Sequence, residues 1–535
     1  MKLIDCIKEL MPIAHEKDAL EKLINGDIKT PPMPECEISD IIYDSRKIVK
    51  DSVFVALCGM NFDGHKFLKD AIEKGACAVV TQSHCIPQED EKHIRENITV
   101  IDVTDTRKAL ALLSAAYFGK PAEKLVMIGI TGTKGKTTTA HMIKSILEAE
   151  GNTVGMIGTV GCTIGENIIP TKNTTPESYE LHSLFRKMMD EGCTHCVMEV
   201  SSQAFKQDRV YGIVYDHGAF LNISPDHIGP GEHKDFEEYF ECKKKIADVC
   251  TNLIINADDE RGRLIARELK DRGTKGFAGG ISDRLPKRFL TVGIADDSKE
   301  NPDIACTRIK DIWEKDIIGS EVFISGIINT DAVIPMPGKF NVENALVAAA
   351  LAFSCGIHND GIKKGLRNVY VKGRTQVVRE ASHIATFIID YAHNAVSAES
   401  LLSMLKGYNP GKLICVFGGG GNKPKARRFA MGAASGKYAD LTILTTDNPR
   451  FEEIDDINKD IIVGLDSEHG KYEIIKDRKE AIEYLLQTAK PDHIVALIGK
   501  GHETYQDIKG VKTYFSEEEI IKDYVKAHAA DRKES

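Results

Sequence analysis

Between residues 124 and 150 the chain reads as strand, glycine-rich turn and helix, and few folds accommodate that order. Lys124–Ile130 is short and dominated by aliphatic residues, the pattern of a strand buried on both faces of a parallel sheet. Thr137–Glu150 carries Ala140, Ile143, Ile146 and Leu147 at helical spacing, and Gly151 supplies a stop. Between them stands Gly132–Thr133–Lys134–Gly135–Lys136–Thr137–Thr138. Glycines there let backbone N–H groups turn inward around a polyphosphate, and the helix N-terminus adds positive potential. Lys136 can neutralise terminal phosphates, and the Thr137 hydroxyl can hold Mg²⁺. The competing reading is a plain glycine turn before a helix.

Similar alternation extends on both sides. Short β-like segments (Ile38–Tyr43, Ser52–Leu57, Ala76–Thr81, Thr99–Val103) alternate with helical patterns at His65–Lys74 and Arg107–Phe118. Further strands are predicted at Val154–Thr159, Cys196–Val200, Thr251–Asn256 and Phe289–Gly293, then an alanine-rich helix at Phe340–Phe353. From Gly373–Arg374 onward, strands at Ile384–Asp390, Leu413–Gly418, Leu441–Thr446 and Ile494–Ile498 alternate with helices at Ala398–Leu405, Ala430–Lys437 and Arg478–Ala489, a second doubly wound pattern. The expected fold is α/β in three domains, 1–121, 122–370 and 371–535, with a central P-loop-type parallel sheet and a C-terminal doubly wound sheet. The acidic run Glu452–Asp460 reads as a solvated surface stretch.

A chain of 535 residues with net charge −10 lacks the basic surface that nucleic acid requires. MKLIDCIKEL has no signal-peptide core, and the longest apolar run, Leu346–Phe353, is too short to span a bilayer. A cytoplasmic monomer with no nucleic-acid or membrane partner is expected. Thirteen scattered cysteines show no disulfide framework, and Cys193–Thr194–His195–Cys196 lacks the second ligand pair a metal site would want.

Two polar constellations follow predicted strands: Met198–Glu199–Val200–Ser201–Ser202–Gln203 and Asn222–Ile223–Ser224–Pro225–Asp226–His227. Open α/β sheets place ligands at such strand ends. A carboxylate and an imidazole there could hold a divalent cation, although strand-end polar residues are common without one.

The turn lacks the first glycine of the general phosphate-loop pattern, since Ile130 stands there. It has instead the short T-G-T-x-G-K-T-T form, which resembles the Mur ligases and their relatives, the folylpolyglutamate and cyanophycin synthetases. Later segments are similar to the branch of that family that fills the third peptide position. The resemblance implies ATP and Mg²⁺ as cofactors, with Gly132, Thr133, Lys134, Gly135, Lys136, Thr137 and Thr138 around the phosphates. Lys136, Glu199, His227 and Lys243 would be catalytic. Thr137, Glu199, His227 and Lys243 would hold the metal. Lys243, picked out by Tyr239–Lys243 as a Y-x-x-x-K segment, would do so as a carbamate; without the resemblance Lys243–Lys245 reads as a solvated basic patch. Asn173, Thr174, Thr175, Ser201, Gln207 and Arg209 would contact a muramoyl-dipeptide. Gly338–Asn344 resembles G-x-F-N-x-x-N, with Asn344 at the adenine and Asn341 equally suited to a helix N-cap. Arg374 would reach ATP, and Asp390–Tyr391–Ala392–His393 resembles a turn near the nucleotide.

Asp447–Asn448–Pro449–Arg450 and Gly499–Lys500–Gly501–His502–Glu503 resemble the family's meso-diaminopimelate pocket. Arg450 would clamp a second carboxylate and Glu503 the distal ammonium. The family's G-G-D-R-D-K stretch reads Gly420–Gly421–Asn422–Lys423–Pro424–Lys425 here, so Lys423 keeps the charge but loses the planar fork. The loop 228–233 also departs from the family's L-D-x-H-G. Tyr43–Asp44–Ser45–Arg46 and Gly59–His65 resemble a uridine-binding region, with Tyr43 and Ser45 as contacts and Met60, Asn61 and Phe62 nearby. The implied activity is ATP-dependent ligation of meso-diaminopimelate to UDP-MurNAc-L-Ala-D-Glu through an acyl phosphate, in peptidoglycan precursor synthesis, in a cleft among the domains that closure would seal. Ligation of L-lysine, a silent UDP-peptide-binding protein and a nucleotide-hydrolysing switch are the alternatives.

Overall fold

The computed structural model describes residues 1–25, 36–59, 62–276, 286–295, 301–314 and 317–528. The chain divides into two compact units, Met1–Val292 with Ala350–Gly356, and Gly293–Ala349 with Ile357–Ser535. Among the described residues no helix is long and apolar enough to cross a membrane.

The first unit begins with four parallel strands in chain order, Ile41–Ile42, Val53–Val55, Ala78–Gln82 and Thr99–Val103. Period-two alternation serves both faces: Val53, Val55 and Val80 enter one apolar cluster, Phe54, Ala56 and Val79 another. The larger sheet of this unit is ordered differently. Cys250–Asn256, Tyr215–Phe220, Val126–Thr131, His195–Glu199 and Val154–Gly158 lie side by side and parallel. After Val126–Thr131 the chain passes through helix Lys136–Ala149 to Val154–Gly158, then returns with His195–Glu199 in between, and then crosses to the other flank with Tyr215–Phe220. Three strand ends, Thr131, Glu199 and Phe220, thus meet where the winding changes direction, the place where such sheets receive ligands. Gly129 permits this packing, because a Cβ there would sit 2.8 Å from the Tyr215 ring.

The second unit contains a sheet in the order Gln376–Val377, Thr386–Asp390, His493–Ile498, Lys412–Phe417, Leu441–Leu444 and Tyr472–Ile474, parallel except for its first strand. Leu413, Cys415 and Phe417 pack into one core and Ile414 and Val416 into another, so helices cover both faces. The same unit holds antiparallel strands Ile304–Glu314, Ile317–Gly326 and Thr330–Ile334, which the sequence reading did not predict. The first of them exposes most of its residues from Arg308 onward, so it lacks the apolar alternation that announces a strand.

Three local readings need correction. The acidic run is a solvated stretch only in part: it enters helix Ile454–Ser467 with Glu453, Asp455 and Asp456 exposed, but its end acids are engaged, Glu452 and Asp460 lying 2.8 and 2.9 Å from the guanidinium of Arg428, which is 3% exposed. Asn341 is buried inside helix Lys339–Ser354, where its amide donates to Pro337 O, so it is not an N-cap. Lys243 is buried and not part of a solvated patch.

The strand His493–Ile498 is anchored by a buried ion pair. Arg478 donates to Glu517 (Nε to Oε1, 2.8 Å) and to the Ile498 carbonyl (2.9 Å), and both side chains are almost wholly buried. Removing one partner strands the other charge in the core. Glu517→Ala is expected to cost about 3–5 kcal/mol, read as a lowered urea midpoint, whereas Glu517→Gln retains an acceptor and loses less.

Candidate active site

In the first unit the glycine-rich turn is clasped by the segment after strand Tyr215–Phe220. Thr133 N–H donates to Asn222 O (3.0 Å), Lys134 N–H to Asn222 Oδ1 (2.9 Å), and Asn222 Nδ2 to Lys134 O (3.2 Å). At Gly132 a Cβ would come 2.8 Å from Leu221 Cβ, and Gly135 has φ 86°, so both glycines are required by the close approach and the left-handed bend. Lys136 Nζ folds over the turn, donating to Gly132 O (2.8 Å) and Thr133 O (3.1 Å). Lys243 Nζ donates to that same Gly132 carbonyl at 2.8 Å. Burial first, and then the Lys136 charge, hold the Lys243 ammonium well below the usual lysine range. Thr138 is buried at the start of the helix.

Glu199, 2% exposed, sits at the end of its strand. Its Oε1 accepts from the Thr137 hydroxyl (2.9 Å) and from Thr159 N–H (2.9 Å), and its Oε2 from the Thr159 hydroxyl (3.3 Å). Gly158 makes room for it, since a Cβ there would lie 2.2 Å from Oε1. Two of the predicted metal donors, Thr137 and Glu199, therefore converge through oxygen, the donor type a hard cation takes. His227 is placed differently: it is half exposed, with φ 54°, and its Nδ1 lies 2.9 Å from Glu232 Oε1 in the divergent 228–233 loop.

The dipeptide residues divide by role. Thr175 is fully buried and its hydroxyl donates to Glu199 O (2.8 Å), while Ser201 N–H donates to Thr175 Oγ1 (3.0 Å) and Ser201 Oγ caps helix Ser202–Lys206. Arg209 donates to Thr175 O (2.9 Å) and Gln207 Oε1 (2.5 Å), and pairs with Glu177 (2.8 Å). These residues brace the segment beside Glu199. Thr174 and Asn173 are more open, and Thr174 Oγ1 lies 3.3 Å from the Thr159 hydroxyl. Tyr43 donates its phenol to Glu180, and Ser45 opens a short turn whose carbonyl accepts from Lys74 (2.7 Å). Phe62 is exposed; Met60 and Asn61 lie outside the described residues. Cys58, His65 and Cys85 place donor atoms within 4.8 Å of one another. Gln82 N–H donates to His65 Nε2, however, so Nδ1 carries the proton and gives it to Asp63 Oδ1 (2.7 Å), and the imidazole has no lone pair to offer a metal. Cys193 and Cys196 are buried and free.

In the second unit Asn344 is buried, its amide 3.4 Å from Asn341 Oδ1. The Arg374 guanidinium lies over the Tyr391 ring at 4.8 Å, and Asp390 accepts from Thr375 and Ala392 N–H, both at 2.7 Å. A cavity of about 190 Å³ opens beside these turns. Lys423, Asp447, Asn448, Arg450, Gly499 and Glu503 line it; Pro449 lies beneath, its carbonyl where a Gly421 Cβ would intrude at 1.8 Å. Arg450 has φ 51° and donates to Gly421 O (3.0 Å). Asn448 Nδ2 donates to Glu503 Oε2 (2.9 Å). Burial pushes the Glu503 carboxyl above the usual range.

Comparison with known proteins decides the family. Residues 37–118 match the Mur ligase family catalytic domain, 130–352 the Mur ligase middle domain, and 373–501 the Mur ligase glutamate ligase domain. The UDP-N-acetylmuramoyl-L-alanyl-D-glutamate–2,6-diaminopimelate ligase of Clostridium perfringens (strain 13 / Type A) is 39% identical over 492 residues, 91% of this chain and 95% of that protein. The chain belongs to the Mur ligase family. The ligase of the same name from Clostridium tetani (strain Massachusetts / E88) is 38% identical over 95% of this chain and 99% of its own length. A solved structure of a ligase with that name shares 26% identity over 94% of this chain and 97% of its own, with a TM-score of 0.68. A Mycobacterium tuberculosis folylpolyglutamate synthase complexed with ADP and AMPPCP has a similar fold at 17% identity, covering 74% of this chain and 92% of its own, with a TM-score of 0.55.

This Mur ligase is accordingly an ATP-dependent enzyme that forms amide bonds. Sequence reasoning named its turn and its E-V-S-S segment but missed the residues that hold them. Asn222 was noted only as the head of a motif, and Gly158 and Thr159 carried no signal at all. Lys500, fully buried with Nζ 3.3 Å from both Asp447 Oδ1 and Asn448 Oδ1, was passed over inside its own motif. Gly158→Ala is expected to push Glu199 off Thr137 and lower ATP-dependent turnover on the order of 10²-fold, with the far-ultraviolet circular dichroism unchanged; phosphate release measures it.

Proposed function

We propose that this Mur ligase joins meso-diaminopimelate to the D-glutamyl side-chain carboxylate of UDP-MurNAc-L-Ala-D-Glu, and that its domains divide at 1–121, 122–370 and 371–535. The observation that carries this reading is that Arg450 and Glu503 line one small cavity. A guanidinium suits a distal carboxylate and a carboxylate suits the ammonium beside it, which is the far end of diaminopimelate and not of lysine. The names of the relatives point the same way.

A carboxylate is a poor electrophile, so its oxygen first takes the terminal phosphoryl of ATP, forming an acyl phosphate and ADP. The turn's backbone amides and Lys136 stabilise charge on the transferring group. Thr137, Glu199, His227 and Lys243 as a carbamate would hold Mg²⁺, which would supply further neutralisation of phosphoryl charge. The depressed Lys243 supports that assignment: a neutral amine is the form that takes up CO₂, losing a proton to give an anion where an ammonium would repel the cation. The amino acid's amine then attacks the acyl carbon, the tetrahedral intermediate expels phosphate, and the nitrogen loses its proton. The cytoplasm, where ATP and nucleotide-linked precursors are available, is the compartment this chemistry requires.

The test is phosphate release from ATP, Mg²⁺ and UDP-MurNAc-L-Ala-D-Glu with diaminopimelate or lysine offered separately. Release dependent on diaminopimelate is expected; release with lysine alone would refute the specificity, and none with either amine would favour a silent binding protein. Arg450→Ala should raise the KM for diaminopimelate about tenfold or more while sparing that for ATP. Glu503 faces Asp447, Lys500 and Arg450, with burial the largest influence on it. Its raised carboxyl is protonated earlier as pH falls, so affinity for diaminopimelate should weaken at a pH above the ordinary carboxylate range and recover as pH rises. Glu503→Gln should remove that acid limb from the pH profile of kcat/KM.

A further inference from the structure

The amino-acid cavity holds more arginine than the pocket motif accounts for, and its arginines are not equivalent. Arg428 is spent on structure: it is 3% exposed and two carboxylates, Glu452 and Asp460, neutralise it. Arg450 and Arg427 also line the cavity, and among the described residues neither is ion-paired with a carboxylate. Each is held by backbone carbonyls alone. Arg450 donates through Nη1 to Gly421 O. Arg427 donates through Nε (2.7 Å) and through Nη2 to His393 O. A carbonyl fixes a guanidinium without cancelling its charge. Because Nε and Nη2 form one edge of the planar group, that bond leaves the Nη1/Nη2 edge to receive a carboxylate bidentately.

The opposing charges point the same way. Asp447 and Glu503 line the cavity, but the buried Lys500 ammonium lies 3.3 Å from the first and 3.8 Å from the second. Lys500 offsets part of their charge, and the remainder faces two unneutralised guanidiniums and Lys423, which is exposed. That balance suits a ligand with two carboxylates. We propose that Arg427 is the receptor for the second carboxylate of the incoming amino acid, the group beside its reacting amine, and that with Arg450 it makes the pocket select a dicarboxylic diamine. Lys423 reaches the same cavity from an exposed position, where water weakens it and where an ammonium has no fork. The helix that carries Arg427, Lys425–Tyr438, begins two residues after Lys423, so a guanidinium a turn further along supplies the planar recognition that Lys423 lacks.

This inference rests on diaminopimelate being the substrate. Its test uses the full-length enzyme in the phosphate-release assay, comparing wild type, Arg427→Gln and Arg427→Lys. Arg427→Gln should raise the KM for diaminopimelate about tenfold or more, with the KM for ATP and the melting temperature unchanged. Arg427→Lys should recover only part of the loss, because charge returns without the second hydrogen bond. Unchanged diaminopimelate kinetics in Arg427→Gln, with a wild type that uses diaminopimelate, would overturn this assignment alone. Full recovery by lysine would also overturn it, since charge without geometry would then suffice, as would an equal rise in the KM for ATP. A wild type that does not use diaminopimelate would overturn the substrate reading and this inference with it.

Discussion

The hydrogen bond from the Thr137 hydroxyl to Glu199 Oε1, 2.9 Å long, is the point on which the geometry around the glycine-rich turn depends. It joins the first turn of the helix after the glycine-rich loop to the end of a neighbouring strand. That requires the two strands to be adjacent and parallel, which the reversal of winding at Val126–Thr131 provides. It also requires a buried carboxylate to be satisfied on its other side, which Thr159 does with both its N–H and its hydroxyl. A carboxylate left without these donors would be costly in so dry a position. Gly158 is what leaves room for that carboxylate, since a Cβ there would lie 2.2 Å from Glu199 Oε1.

Glycine plays the corresponding part in the second unit, at the contacts between turns. A Cβ on Gly373 would lie 2.1 Å from His502 N, and one on Gly421 would lie 1.8 Å from Pro449 O. The turns that carry Arg374, Glu503 and Arg450 are therefore packed backbone against backbone. Side chains that belong to sequence segments far apart are held in register by the absence of side chains elsewhere. The strand beneath Gly499–Glu503 is in turn anchored by Arg478 and Glu517.

This division explains what could be read in advance. The strand–turn–helix of residues 124–150 was legible because aliphatic runs, glycines and helical spacing are local signals, and most of the parallel strands followed from them, although Tyr215–Phe220 and Tyr472–Ile474 were not delimited as strands. Ile304–Glu314 was hidden because it is a strand with mostly polar, exposed residues, and Ile454–Ser467 because its acids masked the buried Ile457 and Ile461. In the site, motif residues such as Glu199 and Arg450 were nameable from the resemblance. Their supports were not: Asn222, Gly158, Thr159 and Lys500 gain meaning only from the distant groups they touch. Lys243 shows the difference best. In the sequence it is the first of three lysines in a row, set apart only by the family-like Y-x-x-x-K spacing; in the structure its burial and its bond to Gly132 O, 111 residues away, separate it from its neighbours.

Charge poses the remaining problem, since a chain with net charge −10 has to receive polyphosphate. A long-range attractive field is not available to it, so the attraction must be local. The cations we assign to binding have carbonyl partners. Lys136 is held by Gly132 O, Arg427 by His393 O and Arg450 by Gly421 O; Lys243, on the same Gly132 O, is the exception, because burial holds its ammonium well below the usual lysine range. A carbonyl dipole orients a cation and lowers its cost of burial, yet leaves its full charge to act on an incoming anion. Arg428 and Arg478, paired with carboxylates, are the contrast: equally well ordered, but electrically spent. The partner a guanidinium has been given, backbone or carboxylate, thus separates those we assign to binding from those that maintain the fold.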